Sequence, residues 1–263
     1  MSDHAEDLVF ALRCAEEAAE RIRRIRADGF QVGAKRDHTL VTTADLDVNH
    51  WFIDRVRERS PSDGVLGEEA SHPAAGPRTW VIDPVDGTQQ FVLGIPVFMV
   101  SIALVEHGVP VVGVAANPST GEIYRAAAGR GAYRNDERLA VSVRDGATDP
   151  AIVAGGGAVP SQGGLDADSL LHVTTGPPVD TAPVRFPWPT VFSGCKVAEG
   201  SWDGDLYGHA SAHDVAAVCV LVREAGGRVT DRHGRDQRYD APVDGCVVSN
   251  GLVHDELIAR WRP

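Results

Sequence analysis

Thr79-Trp80-Val81-Ile82-Asp83-Pro84-Val85-Asp86-Gly87-Thr88 is the stretch on which the reading turns. Its first four residues are apolar or β-branched and predict a short buried strand that ends at Asp83. Pro84 fixes φ and stiffens the turn that follows. Such a turn holds the Asp83 and Asp86 carboxylates toward one point, with the Val85 carbonyl between them. Two like charges held together repel unless a cation sits between them. Carboxylate and carbonyl oxygens with no His or Cys among them suit a hard ion, Mg²⁺ in particular. Gly87-Thr88 then opens Gln89-Gln90-Phe91, which can form a helical turn whose free amides suit a phosphate oxygen. A purely structural turn is the competing reading. Carboxylates for metal and amides for phosphate within six residues favour metal-assisted phosphate chemistry.

Outward from this stretch, alternating helix and strand signals predict an α/β chain. Leu8, Ala11, Leu12, Ala15, Ala18, Ala19, Ile22 and Ile25 recur at helical spacing up to Asp28-Gly29. The Arg21, Arg23, Arg24 and Arg26 face of that helix reads as solvated. A second helix is expected from Ala44 to Arg59, before Pro61. Strands are expected at Val65-Leu66, Val100 to Val105, Val111 to Ala115, Ile123 to Arg125 and Ala132-Tyr133. A polar stretch near residues 144–149 suggests a boundary, giving units of 1–147 and 148–263. The second unit should open with a strand at Ile152 to Ala154. A long Gly/Pro-rich excursion from Gly155 to Pro189 should follow. Beyond it come a helix from His213 to Ala225, strands at Arg228 to Thr230 and Gly245 to Val248, and a helix from His254.

Composition narrows the function. The 263 residues carry 25 Lys+Arg against 37 Asp+Glu, a net charge of −12. That balance disfavours a nucleic-acid polymer as partner. Four scattered cysteines form no Cys-x-x-Cys unit and read as buried thiols. The start of the chain is acidic where a signal peptide is basic, and no apolar run reaches the ~18 residues that span a membrane. A cytoplasmic protein is therefore expected.

Two further acidic elements stand at element ends, Gly67-Glu68-Glu69 and Asp214. Taken alone, Asp214 is explained by helix capping. Together with the Asp83 stretch, the elements resemble the inositol monophosphatase family of Mg²⁺-dependent phosphatases. Trp80 to Thr88 is similar to the family signature. Lys35 with Val41-Thr42-Thr43-Ala44-Asp45 resembles its early element. Gly67-Glu68-Glu69 resembles its Gly-Glu-Glu element. His213-Asp214-Val215-Ala216-Ala217 resembles its late Trp-Asp-x-Ala-Ala element.

The resemblance implies a layered α/β/α/β/α sandwich, homodimeric, that hydrolyses a small phosphomonoester. Glu68, Asp83, the Val85 carbonyl, Asp86 and Asp214 would hold two or three Mg²⁺ ions. Asp45 and Thr88, with Glu68 nearby, would orient and deprotonate the attacking water. Gly87 and Thr88 amides would bind phosphate, with Asp86 and Asp214 facing the substrate.

Three departures bear on specificity. His213 replaces the usual Trp and reads as a packing swap, with a substrate contact or a modulator of metal affinity as the alternatives. Gln90 replaces an Asn. Tyr207 stands where inositol-specific members carry a carboxylate, which argues against inositol phosphate. Tyr207 and His209 could instead stack on a base and meet a second phosphate, as in 3′-phosphoadenosine 5′-phosphate. A loop role explains them equally well. Histidinol phosphate and inositol or sugar phosphates are the other candidates. A non-catalytic phospho-ligand-binding relative is the alternative of another class, and it should have lost a metal carboxylate.

Overall fold

The structure is a computed structural model, and it describes residues 4–36, 38–145, 153–154 and 188–260. In chain order it contains α1 (Ala5–Asp28), β1 (Val32–Ala34), β2 (Leu40–Thr42), α2 (Thr43–Arg59), β3 (Gly64–Gly67) and β4 (Arg78–Asp86). Next come α3 (Thr88–Leu93), β5 (Met99–Glu106), β6 (Val109–Ala116), β7 (Ile123–Ala127), β8 (Ala132–Arg134) and β9 (Glu137–Arg138). The remainder is β10 (Val153–Ala154), α4 (Thr190–Ala198), β11 (Gly204–Tyr207), α5 (Ala212–Glu224), β12 (Arg228–Thr230), β13 (Cys246–Ser249) and α6 (His254–Arg260).

Strands β3 to β9 form one seven-stranded sheet in sequence order, and β10-β11-β13-β12 form a second sheet of four. The first sheet is antiparallel except for the β3–β4 pair. Its central strands are buried on both faces, which explains why they read as apolar runs rather than as alternation. Along β5 successive side chains divide between two cores. Val100, Ile102 and Leu104 pack with the apolar stripes of α1 and α2. Met99, Ala103 and Val105 pack with α4 and α5. Helices α4 and α5 are themselves covered by the second sheet, and α6 lies on that sheet's far side. The layers run α/β/α/β/α, as the resemblance implied.

Two expectations are adjusted. Strand β4 does not stop at Asp83. It continues through Asp86 with a register shift between those residues. A bulge thus replaces the predicted turn and turns both carboxylates to one side. The region around the expected unit boundary, and nearly all of the Gly155 to Pro189 stretch, lie outside the described residues. Beyond it lies α4 (Thr190–Ala198), a helix in a segment for which no element was expected. All four cysteines are free and buried. Among the described residues no helix is long and apolar enough to cross a membrane.

One buried group ties the second sheet to α6 and makes stability pH-dependent. His254 Nε2 shares a hydrogen bond with Thr230 Oγ1 (2.9 Å), and Nδ1 with Ser249 Oγ (2.8 Å). Burial, then the nearby Arg228, pushes its pKa down from 6.5 to about 4. Between those values the unfolded chain binds the extra proton, so stability falls as pH drops from 6.5 toward 4. The loss is on the order of 2–3 kcal/mol. Urea unfolding at pH 7.5 and 4.5 should show a smaller pH effect in His254→Gln than in the parent. An equal effect would remove His254 as its source.

Candidate active site

The site forms where the ends of β3 and β4 meet the first turns of α2, α3, α4 and α5. Thr42 and Asp45 build a reciprocal capping box at the start of α2. Asp45 Oδ2 accepts from Thr42 N (2.7 Å) and Thr42 Oγ1 (2.5 Å). Its other oxygen accepts from Thr88 Oγ1 at 3.2 Å, while the same hydroxyl reaches the Val85 carbonyl at 3.1 Å. Asp45 is fully buried. Burial raises its pKa, the Thr42 bonds oppose this, and Glu68 adds to it. The Thr-x-x-Asp spacing at a helix start is a capping-box signal that the sequence reading left unused.

Glu68 and Glu69 extend from the end of β3. The Lys35 ammonium lies 2.6 Å from Glu68 Oε1 and 2.5 Å from Glu69 Oε1. Burial disfavours the Lys35 charge, but the two carboxylates outweigh it and its pKa is raised. Gly67 must lack a side chain, because a Cβ there would run into the Asn49 amide and the Ala70 carbonyl. Those groups are in use: Asn49 accepts from Glu69 N (3.2 Å) and donates to Ala70 O (2.9 Å). Asn49 is a support that the motif reading missed.

Asp83, Asp86 and Asp214 come together although 131 positions separate the first from the last. The sheet register explains the meeting. Asp83 pairs with Ser101 across β4 and β5. Ser101 Oγ donates to the His213 carbonyl (3.4 Å), which draws the first turn of α5 onto that point. Asp214 is also the capping-box partner of Ser211, accepting from its N–H at 2.5 Å. Asp86 accepts from Thr190 N (3.1 Å) and Val191 N (2.9 Å), the first amides of α4. Asp83 accepts from Val85 N at 2.9 Å.

The electrostatics of this cluster call for a cation. Burial, then Glu68, Asp86 and Asp214, pushes the Asp83 carboxyl well above its ordinary range. Burial and Asp214 raise Asp86 to about 8 against the pull of the α4 amides. Asp214 is raised by burial, with His213 opposing. Carboxylates this close, oxygen donors only and a carbonyl alongside fit one or more hard divalent ions. Asp45, Glu68 and Glu69 form a second acidic group next to it.

Gly87, with φ +93, turns the chain from β4 into α3. A Cβ at Gly87 would also strike Pro189 at 2.7 Å, so glycine is needed twice over. His213 is half-buried, with Nε2 3.7 Å from Asp214 Oδ2. It lines a cavity of about 790 Å³ together with Gly67, Ser71, His72 and Ala210. Tyr207 departs from its expectation. Its ring is 1% exposed in the core between the sheets, and its hydroxyl meets Ser193 Oγ at 3.1 Å. No face is left on which a base could stack. His209, two residues on, is exposed.

Comparison with known proteins gives the family of the chain. Residues 3–262 match the model of the inositol monophosphatase family. A histidinol-phosphatase of Mycobacterium tuberculosis is 37% identical, covering 97% of this chain and 97% of its own. An inositol-1-monophosphatase of Rhizobium meliloti is 34% identical over 83% of this chain and 80% of its own. The solved structure of an inositol monophosphatase from Thermotoga maritima superposes with a TM-score of 0.83 at 27% identity, covering 97% of this chain and 96% of that one. The chain belongs to the inositol monophosphatase family and is a phosphoric monoester hydrolase.

Proposed function

We propose that the enzyme is a Mg²⁺-dependent phosphatase whose first candidate substrate is histidinol phosphate. The observation that carries the metal assignment is the cluster of buried Asp83 and Asp86 with half-buried Asp214, whose like charges a cation would reconcile. Asp83, Asp86, Asp214, Glu68 and the Val85 carbonyl would hold the ions. Bound Mg²⁺ supplies positive charge that polarises the phosphoryl group and lowers the pKa of nearby water.

The remaining roles fall to the chain. Asp45, held by Thr42, accepts the proton of the attacking water. Thr88, hydrogen-bonded to Asp45 and to the Val85 carbonyl, fixes that water's direction of approach. The Gly87 and Thr88 amides take the phosphate oxygens. Lys35 pairs with Glu68 and Glu69 and holds the two carboxylates in place. Asp214 and exposed His209 face the departing alcohol.

Two observations favour histidinol phosphate over inositol phosphate. The 37% identical relative bears the histidinol-phosphatase name over nearly the whole chain. Position 207 holds a buried Tyr where a carboxylate would grip a ring hydroxyl. The burial of Tyr207 also weakens the nucleotide reading, which relied on its ring. We propose further that the enzyme works as a cytoplasmic homodimer, as its family resemblance implies. Phosphate release from histidinol phosphate, inositol 1-phosphate and 3′-phosphoadenosine 5′-phosphate, with Mg²⁺ or EDTA, tests the assignment. Histidinol phosphate should show the highest kcat/KM and no activity in EDTA. A higher kcat/KM on either other ester would overturn the substrate, and full activity in EDTA would overturn the metal.

A further inference from the structure

An ion cluster at the start of β4 takes no part in the chemistry above. Arg78 donates to Asp63 Oδ2 (3.2 Å), to Asp7 Oδ1 (2.9 Å) and to Glu106 Oε1. Arg59 reaches the same Asp7 Oδ1 at 3.0 Å, and Trp80 Nε1 donates to Asp63 Oδ2 at 3.0 Å. The arginines therefore sit on one oxygen of Asp7 and one of Glu106. The other oxygen of each turns to His4. Asp7 Oδ2 is 3.6 Å from Nδ1, and Glu106 Oε2 is 3.8 Å from Nε2. Both separations exceed a hydrogen bond.

His4 is 8% exposed, and its Nδ1 has no hydrogen-bond partner. An orphaned polar nitrogen at that depth is costly unless something fills the gap. The charge count favours a cation there. Three carboxylates against two guanidiniums leave one formal negative charge around the imidazole.

One ring nitrogen of His4 and one oxygen each of Asp7 and Glu106 lie within 4.8 Å of one another. Bonds of about 2.0–2.2 Å around a tetrahedral ion set ligand atoms roughly 3.4 Å apart. The 3.6 Å pair is already close to that value, and Glu106, which faces the other ring nitrogen, must turn toward Nδ1 to complete the set. We propose that His4, Asp7 and Glu106 form a second metal site, for a borderline transition ion such as Zn²⁺. An imidazole with two carboxylates suits Zn²⁺ rather than the all-oxygen preference of Mg²⁺.

The position makes the role structural. Glu106 pairs with Arg78, five residues along β4 from Asp83, or about 16 Å at ~3.3 Å per residue. The ion ties the first turn of α1 to the end of β5 and leaves catalysis alone.

Untagged full-length protein dialysed against Zn²⁺ with excess Mg²⁺ provides the test. The parent should retain one more zinc per chain than His4→Ala or Glu106→Gln. Zinc should raise the melting temperature of the parent by several degrees and that of neither variant. Mg²⁺-dependent phosphatase activity should be unchanged in both variants, which certifies that they are folded. Equal zinc content in all three proteins would overturn the proposal. So would a zinc-dependent rise in melting temperature that persists in the variants.

Discussion

Asp83→Asn should lower Mg²⁺-dependent phosphate release by about 10³-fold, while the metal-free protein melts no lower than the parent. Activity should fall because an ion held by this cluster would contribute several kcal/mol of charge stabilisation. A barrier raised by about 4 kcal/mol corresponds to that factor. Stability moves the other way because Asp83 is a burdened residue in the metal-free protein. Burial and three facing carboxylates penalise its ionised form. The amide removes that penalty, and its Oδ1 still accepts from Val85 N. The gain should widen as pH rises above the ordinary carboxyl value of 3.8, where the parent is forced toward the charged state. Steady-state assays and thermal melts in EDTA check both halves. Activity within tenfold of the parent would remove Asp83 from the metal site, and a much lower melting temperature would refute the like-charge argument.

The second large effect is expected at Asp45. Asp45→Asn should reduce kcat by roughly 10²–10³-fold, the usual contribution of a positioned general base. The amide can keep an acceptor toward Thr42 N, so the start of α2 should lose only about 1 kcal/mol of capping. What the amide cannot do is accept the water's proton. Asp45 has its pKa raised by burial, so the parent's activity should decline as pH falls through a value above 3.8. That acid limb should vanish in the variant. A pH–rate profile decides the matter: an unaltered limb would assign it to another group, and a loss of less than fivefold would remove Asp45 as the base.

Much of this site was legible in the sequence because its parts are local. Asp83, Val85, Asp86 and Thr88 lie within six positions, and Asp45 stands at a recognisable helix start. The five-layer order followed from family resemblance rather than from any pattern of residues. What escaped was non-local. Nothing in Thr190-Val191 announces that their amides will clasp Asp86, since the partners are more than a hundred positions apart. Ser101 reads as a polar interruption in an apolar strand, yet it hooks the start of α5 beside Asp83. The burial of the Tyr207 ring was not legible from its place in the motif, because it follows from β11, all four residues of which are buried.

The sharing of one sheet between two cores has a consequence for how the chain is made. Residues up to 145 supply the seven-stranded sheet together with α1 and α2, the cover of one face only. The other face, with Val81, Met99, Ala103, Val105 and Tyr124, waits for α4 and α5. During synthesis, a ribosome emitting roughly 5–20 residues each second leaves that greasy surface bare for several seconds. The same interval leaves Asp83 and Asp86 without Asp214, so docking of the last third of the chain both seals the nascent sheet and assembles the acidic cluster.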